Sequence, residues 1–144
     1  MNRLELRQQR YYYRPDSQLF VHSLELSITN NNPQGYRLLL SSENQGSLLD
    51  FQTQEEVFYE VLVFNDDFAI DKPVFFLEQA QVFVQPPQQA AYIQAPLTIK
   101  IYARLGDRNG IFSDRLTLSL LDPPFEPQQL TIPLSFSQIG RAHV

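Results

Sequence analysis

The chain has 144 residues, of which 43% are hydrophobic and 19% charged, and its formal net charge is −5. This balance excludes an intrinsically disordered chain, and the lack of a long apolar run argues against insertion into a membrane. Lys72 and Lys100 are its two lysines, so the chain lacks the clustered positive charge that nucleic-acid binding needs. It contains no cysteine, which excludes disulfides, thiol chemistry and zinc thiolate sites.

The length predicts a single domain over residues 1–144, because most folded domains contain about 50–250 residues. We expect residues 1–14 and 139–144 to be loosely held ends of this domain. Met1 runs directly into polar residues without an apolar leader segment. If the protein is exported, we therefore expect that a leader has been removed.

Alternating apolar and polar residues, the pattern of half-buried strands, recur along the chain. Together with short apolar segments they cover residues 20–29, 36–42, 57–64, 74–77, 81–84, 97–104, 115–120 and 130–137. Turn-forming sequences separate these runs, most clearly at residues 30–35 and 106–110. The pattern predicts an all-β fold, an immunoglobulin-like antiparallel β-sandwich of seven to nine strands.

The last predicted strand has a strongly apolar face. Every second residue of the strand lies on that face and is large and apolar: Leu130, Ile132, Leu134 and Phe136. Pro133 lies on the opposite face and has no N–H to donate, which favours an edge position. The strand before it alternates in the same way, and we expect its apolar residues to be core neighbours of the last strand: Leu116, Leu118 and Leu120.

Catalysis finds little support in the sequence. The two histidines are His22 and His143, and a nucleophile–base pair would have to be built around one of them. His22 lies in the middle of a predicted strand on its apolar face, which favours a structural role, and His143 lies in the terminal tail. No phosphate-binding loop or metalloprotease motif is present. We therefore predict a protein that is not an enzyme and needs no cofactor.

One acidic segment is a candidate calcium site. Asn65, Asp66, Asp67 and Asp71 could supply several of the oxygen ligands that calcium prefers. Their spacing does not match an EF-hand, and acidic loops between strands are usually only solvated. We assign no metal site here and leave calcium as an open alternative.

The run between Arg10 and Arg14 contains three consecutive tyrosines, Tyr11, Tyr12 and Tyr13. Tyrosine rings offer a wide contact surface with few rotatable bonds, and arginines add hydrogen-bond donors. The run is therefore a candidate contact for a sugar or a protein partner. The interpretation that we favour is an opening strand in which Tyr11 and Tyr13 pack inward.

Two segments resemble a known family. Residues 28–42, ITNNNPQGYRLLLSS, resemble a hairpin of bacterial fimbrial subunits, and residues 110–120, GIFSDRLTLSL, resemble the last strand of archaic chaperone–usher pilins with the spore coat U-like domain. Gly35 and Gly110 permit tight reversals there. Asp114, at the entry to its strand, can accept hydrogen bonds from loop amides.

The chain also departs from this family. Such pilins commonly contain cysteines and end near the position of Leu121, whereas this chain has no cysteine and continues through residues 130–136. Subunits of the family lack a final strand and receive it from a neighbour, so their sandwich carries an open hydrophobic groove. Here the last predicted strand has the spacing to fill that groove, in the same copy or in the next one.

The resemblance implies a structural or adhesive subunit of a bacterial surface fimbria that assembles by β-strand complementation. Its partners would be other pilus subunits or copies of itself, a periplasmic chaperone, and a glycan or host receptor. Its location would be extracellular or on the cell surface, reached through the periplasm. Two alternatives stay open: a carbohydrate- or ligand-binding β-sandwich that uses Tyr11–Tyr13 or Tyr92, and an intracellular protein-interaction domain.

Overall fold

A computed structural model describes residues 3–65, 69–70, 80–85, 87 and 93–139. These residues form strands and turns without a helix. In chain order the strands are β1 (Arg3–Arg14), β2 (Leu19–Asn30), β3 (Tyr36–Ser42), β4 (Ser47–Leu49), β5 (Glu56–Asn65), β6 (Ala69–Ile70), β7 (Ala80–Gln85), β8 (Ile93–Ala103), β9 (Gly110–Leu121) and β10 (Gln128–Gln138).

The strands form one curled sheet that folds over into two layers, and every pair is antiparallel. One layer has the order β1–β2–β8–β5–β6. In the other layer β9 lies between β10 on one side and β3 and β4 on the other, with β7 beyond β3. β5 joins the layers, because its first residues pair with β4 and the remainder pair with β8.

The core lies between the two layers and follows the strand period of two. Alternate residues of each central strand are buried in one continuous cluster, while their neighbours face outward. The principal members are Leu24, Leu26, Ile28, Leu38, Leu40, Val61, Val63, Ile99, Ile101, Phe112, Leu116, Leu118, Leu120, Ile132 and Leu134.

The predicted all-β class is confirmed. The structure has ten strand segments within its described ranges, more than the seven to nine expected, because β4 and β6 have only three and two residues. Such short segments carry too few residues to show an alternating pattern. The predicted strand at 81–84 corresponds to β7, and the one at 57–64 corresponds to β5.

The opening residues differ from expectation. We expected residues 1–14 to be loosely held, but Arg3–Arg14 form β1 and pair with β2 from end to end, apart from a register shift between Leu6 and Gln8. β1 is mostly polar because it is an edge strand, where backbone hydrogen bonds to one neighbour hold the chain and few side chains reach the core. Leu4, which is 6% exposed, and the partly buried Leu6 pack against the core and anchor the strand.

Several expectations lie outside the described residues: the strand at 74–77, three of the four candidate calcium ligands (Asp66, Asp67 and Asp71), Tyr92, His143, and the tail from residue 140 onward. Within the described ranges there is no helix with the length and apolar character needed to cross a membrane.

Candidate functional site: the seam closed by the last strand

The last strand lies against β9 in the same chain. β10 pairs with β9 continuously, from Gln128 opposite Leu120 to Gln138 opposite Gly110. Its inward side chains are almost completely buried, with exposed fractions of 2% for Ile132, 1% for Leu134 and 4% for Phe136. Leu130 is half-buried and packs against the same core. The structure thus brings together the two predicted sets, because Leu116, Leu118 and Leu120 of β9 are buried beside them.

β10 also contacts the opposite layer. The Phe136 ring meets the rings of Phe20 and His22, both in β2, edge-on, with centroid distances of 6.3 and 6.4 Å. Edge-to-face contacts at this distance are the preferred geometry of aromatic rings. Phe136 therefore joins the two layers at the edge where β1 and β10 end them.

β1 in one layer and β10 in the other lie on the two sides of this edge. The backbone N–H of Leu4 donates to Oε1 of Gln128 over 3.1 Å, and the Leu4 side chain packs in the core. Among the described strands, β10 pairs only with β9, so its outer backbone edge faces away from the rest of the sheet. We call this arrangement of β1, β10 and the core residues between them the seam.

A buried polar cluster fixes the chain just before β10. Asp122 is 2% exposed, and its carboxylate accepts hydrogen bonds from the side-chain amides of Asn30 and Asn32 at 2.8 and 2.5 Å. The Asn32 amide also donates to the carbonyl of Pro123 over 2.8 Å. These bonds replace the water that the carboxylate loses on burial. The β2–β3 turn therefore determines where the chain leaves β9.

The sequence pattern does not reveal this cluster. It indicates only a turn at Asn30 and Asn32, and the two residues do form one, since Asn32 N–H donates to Oδ1 of Asn30 and Gly35 N–H donates to the Asn32 carbonyl. The partner, Asp122, is about ninety positions away along the chain. No local sequence pattern indicates such a pairing.

A second buried carboxylate, Asp114, fixes the other end of β9. It is 6% exposed and accepts hydrogen bonds from Ser42 Oγ, from the Tyr59 hydroxyl and from the backbone N–H of Asn44, at 2.5, 2.5 and 2.9 Å. The acceptance of a loop amide is the role expected of Asp114 from its place at a strand entry. The cluster ties β9 to β5 and to the β3–β4 turn.

His22 lies in the core as a structural residue. It is fully buried, its Nε2 lies 2.9 Å from Oε1 of Gln9, and its ring stacks on Tyr11 with centroids 4.0 Å apart. Because the amide oxygen only accepts, Nε2 carries the proton, and Nδ1 has no hydrogen-bond partner among the described residues. Burial lowers the pKa of His22 to about 4, since a charged imidazolium would lose its hydration there.

The three tyrosines of β1 occupy different environments. Tyr11 stacks on the buried His22, on the same face as Tyr13, but it stays 59% exposed and is not itself buried. Tyr13 is half-buried against Phe20, with ring centroids 4.7 Å apart. Tyr12 faces outward, and the Arg14 guanidinium lies 5.6 Å from its ring and 5.7 Å from that of Tyr102. The favoured opening strand is therefore observed, with alternating faces.

Metal ligands are not gathered in the described part of the chain, where no group of three or more His, Cys, Asp or Glu side chains could hold an ion. Of the candidate calcium segment only the backbone of Asn65 falls within that part, at the end of β5.

The fold is shared with pilin and adhesin subunits of fimbriae. One similar structure is the CooA pilin subunit of enterotoxigenic Escherichia coli, with a TM-score of 0.59 and 12% identity over 88% of this chain and 86% of CooA. Another is CfaE, the adhesive subunit of CFA/I fimbria from the same organism, with a TM-score of 0.60 and 7% identity over 91% of this chain and 44% of CfaE.

A CfaE mutant, G168D, gives a TM-score of 0.63 with 8% identity over 99% of this chain and 49% of CfaE. The chain thus spans less than half the length of CfaE and most of the length of CooA. No known protein-family profile and no curated protein sequence matches the chain.

Proposed function

We propose that the chain is a structural or adhesive subunit of a bacterial surface fimbria and that it assembles by β-strand complementation. The observation that supports this most is the position of β10. It is a separate edge strand, bonded to the sheet along one side, yet it places Ile132, Leu134 and Phe136 in the core. Such a strand can be supplied equally well by its own chain or by another copy.

The stabilisation that β10 supplies is large enough to drive assembly. Each fully buried apolar side chain stabilises a fold by about 1.5–3 kcal/mol, so three of them contribute roughly 5–9 kcal/mol. Whole domains are stable by only about 5–15 kcal/mol. A sandwich without β10 would therefore expose an apolar groove and be close to unfolding. We propose that the free energy gained when a strand covers this groove drives the association of copies.

The connection between β9 and β10 suits an exchange. It consists of residues 122–127, between the printed ends of the two strands at Leu121 and Gln128. Asp122 and Pro123 are held by the β2–β3 turn, whereas residues 124–127 are exposed. We propose that these exposed residues act as the hinge through which β10 reaches a neighbouring copy.

The same proposal assigns location and partners. A subunit of this kind is exported and displayed on the cell surface, and a periplasmic chaperone covers its groove until another subunit supplies a strand. A catalytic role is not proposed, because His22 is buried, stacked and uncharged at neutral pH. A histidine in that environment has no access to a substrate.

Strand exchange can be tested by cysteine cross-linking, because the chain has no cysteine of its own. Ser113 and Ser135 are directly opposed in the β9–β10 pair, and such pairs lie about 4.5–5.5 Å apart between Cα atoms, within the range of a disulfide. The variants Ser113→Cys and Ser135→Cys are mixed, unfolded, refolded together and oxidised. A disulfide that links the two variants forms readily only when β10 of one copy lies on β9 of another.

We expect a prominent covalent dimer on non-reducing gels. The matched control mixes Ser113→Cys with Glu60→Cys, whose side chain is exposed on the outer face of the other layer. If the Ser113–Ser135 mixture gives no more dimer than this control, β10 does not pass between copies and the assembly proposal fails.

A further inference from the structure

Three segments meet at one end of the sandwich and line a half-open cavity of about 350 Å³. They are the β1–β2 turn, the β8–β9 loop and the end of β10. Its lining includes Tyr13, Gln18, Phe20, Asp107, Asn109 and Gln138. The volume lies within the range of small-molecule pockets, about 300–1,000 Å³.

Hydrogen bonds hold these segments in place. The Gln138 side chain donates to the backbone carbonyls of Gly106 and Arg108, at 2.7 and 2.8 Å, and so fixes the β8–β9 loop to the end of β10. Nε of Arg104 donates to the carbonyl of Ser17 over 3.3 Å, which links the loop to the β1–β2 turn. The walls of the cavity are therefore tied together before any ligand arrives, and a preformed site loses less entropy on binding.

The cavity has an aromatic side. Tyr13 and Phe20 lie with ring centroids 4.7 Å apart and planes tilted by 57°. Phe20 is held from behind by its edge contact with Phe136. The two rings present a rigid apolar surface on which the C–H face of a flat ligand can pack.

Two polar side chains of the lining are not engaged in hydrogen bonds with other described residues. The side chains of Asp107 and Asn109 are exposed, and within the described part of the chain neither makes a side-chain hydrogen bond. Asp107 offers two acceptors, and Asn109 offers both a donor and an acceptor. Gln18 adds a third carboxamide to the lining, after Asn109 and Gln138.

The two nearby arginines, Arg104 and Arg108, are bonded to other groups of the protein. Arg108 pairs with Glu55, with Nε 3.5 Å from Oε2, and donates to the Leu105 carbonyl over 3.3 Å. The Nε of Arg104 is committed to Ser17. The groups left to meet a ligand are therefore one carboxylate, amides, a phenol and two rings, which is an arrangement suited to hydroxyl groups rather than to anions.

We propose that this cavity binds one unit of a neutral saccharide. Adjacent sugar hydroxyls each donate and accept, so they match Asp107 and Asn109, while the apolar face of the pyranose ring packs on Tyr13 and Phe20. The cavity forms within one copy, so the proposal does not depend on strand exchange. Failure of one proposal leaves the other standing.

The test is a titration of the isotope-labelled full chain, followed by amide chemical shifts. The probes are the methyl glycosides of glucose, galactose, mannose and N-acetylglucosamine. At least one should give saturable shifts confined to the three segments around the cavity. Tyr13→Ala and Asp107→Ala should each weaken its binding by about tenfold or more, which corresponds to at least about 1.4 kcal/mol.

Matched controls separate binding from folding. Tyr12→Ala changes the neighbouring tyrosine on the outer face, and Glu60→Ala removes a distant exposed carboxylate; both should bind like the parent. Asn109→Ala changes an exposed loop residue of the cavity lining. It takes the place of Tyr13→Ala as the cavity variant if Tyr13→Ala fails to fold. The proposal is overturned if no sugar gives saturable shifts or if the cavity variants bind normally.

Discussion

The Tyr59 hydroxyl of β5 lies 2.5 Å from Oδ2 of Asp114 in β9, at the point where β5 leaves one layer for the other. The hydroxyl donates, because the carboxylate can only accept. Burial, reinforced by the hydrogen bond to Asp114, raises the pKa of Tyr59 well above its ordinary value. The phenol therefore stays protonated at neutral and moderately alkaline pH and remains able to donate to Asp114.

Replacing Tyr59 by phenylalanine should destabilise the fold by about 1–3 kcal/mol, because the buried Asp114 loses a donor that water cannot replace. The measurement is the free energy of unfolding in urea. Tyr12→Phe removes a hydroxyl near the surface that accepts a hydrogen bond from Arg14 over 3.5 Å, and it should change stability by less than about 0.5 kcal/mol. Equal losses in the two variants would show that Asp114 does not depend on Tyr59.

His22 makes stability depend on pH. Its pKa is lowered from 6.5 to about 4 in the folded protein, so the unfolded chain binds a proton at a higher pH than the folded one. Stability is therefore fully present above pH 6.5 and falls as the pH decreases towards 4, by about 3 kcal/mol in total.

The measurement is the unfolding free energy at pH 7, 6, 5 and 4. His22→Gln should flatten this dependence relative to the parent. A parent and a His22→Gln variant with parallel pH profiles would contradict the assignment.

Gly110 is required by its contact with Asp50. A Cβ at Gly110 would lie 2.0 Å from Oδ2 of Asp50, whose carboxylate also accepts the backbone N–H of Gln52 over 2.8 Å. The φ of Gly110 is 141°, a conformation that side chains disfavour. Gly110→Ala should therefore cost several kcal/mol.

Gly106→Ala is the matched comparison. Its φ is also positive, at 61°, but the nearest atom to an added Cβ is 3.6 Å away, so only the backbone term of about 1–2 kcal/mol remains. Thermal or urea unfolding of the two variants measures the difference. A smaller loss at Gly110 than at Gly106 would show that the Asp50 contact is unimportant.

The sequence predicted those parts of the fold that local periodicity encodes. The alternation in residues 130–137 placed Ile132, Leu134 and Phe136 on one face, and Pro133 favoured an edge strand; the structure has both features. Asp114 was also recognised as an acceptor for loop amides, because its position at a strand entry is a local property.

Features that local periodicity does not encode could not be predicted from the sequence. β1 is polar, so its membership of the sheet depends on backbone pairing with β2 rather than on its side chains. The Asn30–Asp122 bond and the cavity at the end of the sandwich join residues that are far apart in sequence. Such features follow from the order of the strands, which the alternating pattern leaves open.

Packing along β10 can be probed one residue at a time. Leu134→Ala should cost about 2–5 kcal/mol, because the side chain is 1% exposed and its removal leaves a cavity. Ser135→Ala, on the exposed face of the same strand, should change the free energy of unfolding by less than about 0.5 kcal/mol. Similar values for both would mean that β10 does not contribute to the core.

The most direct test of the seam is removal and replacement of the strand. A chain ending at residue 127 is produced, and a synthetic peptide of residues 128–138 is added; the same peptide with serine at 132, 134 and 136 is the control. We predict that the shortened chain aggregates or unfolds and that only the parent peptide restores a cooperative thermal transition. A shortened chain that stays monomeric and as stable as the full one would contradict the account.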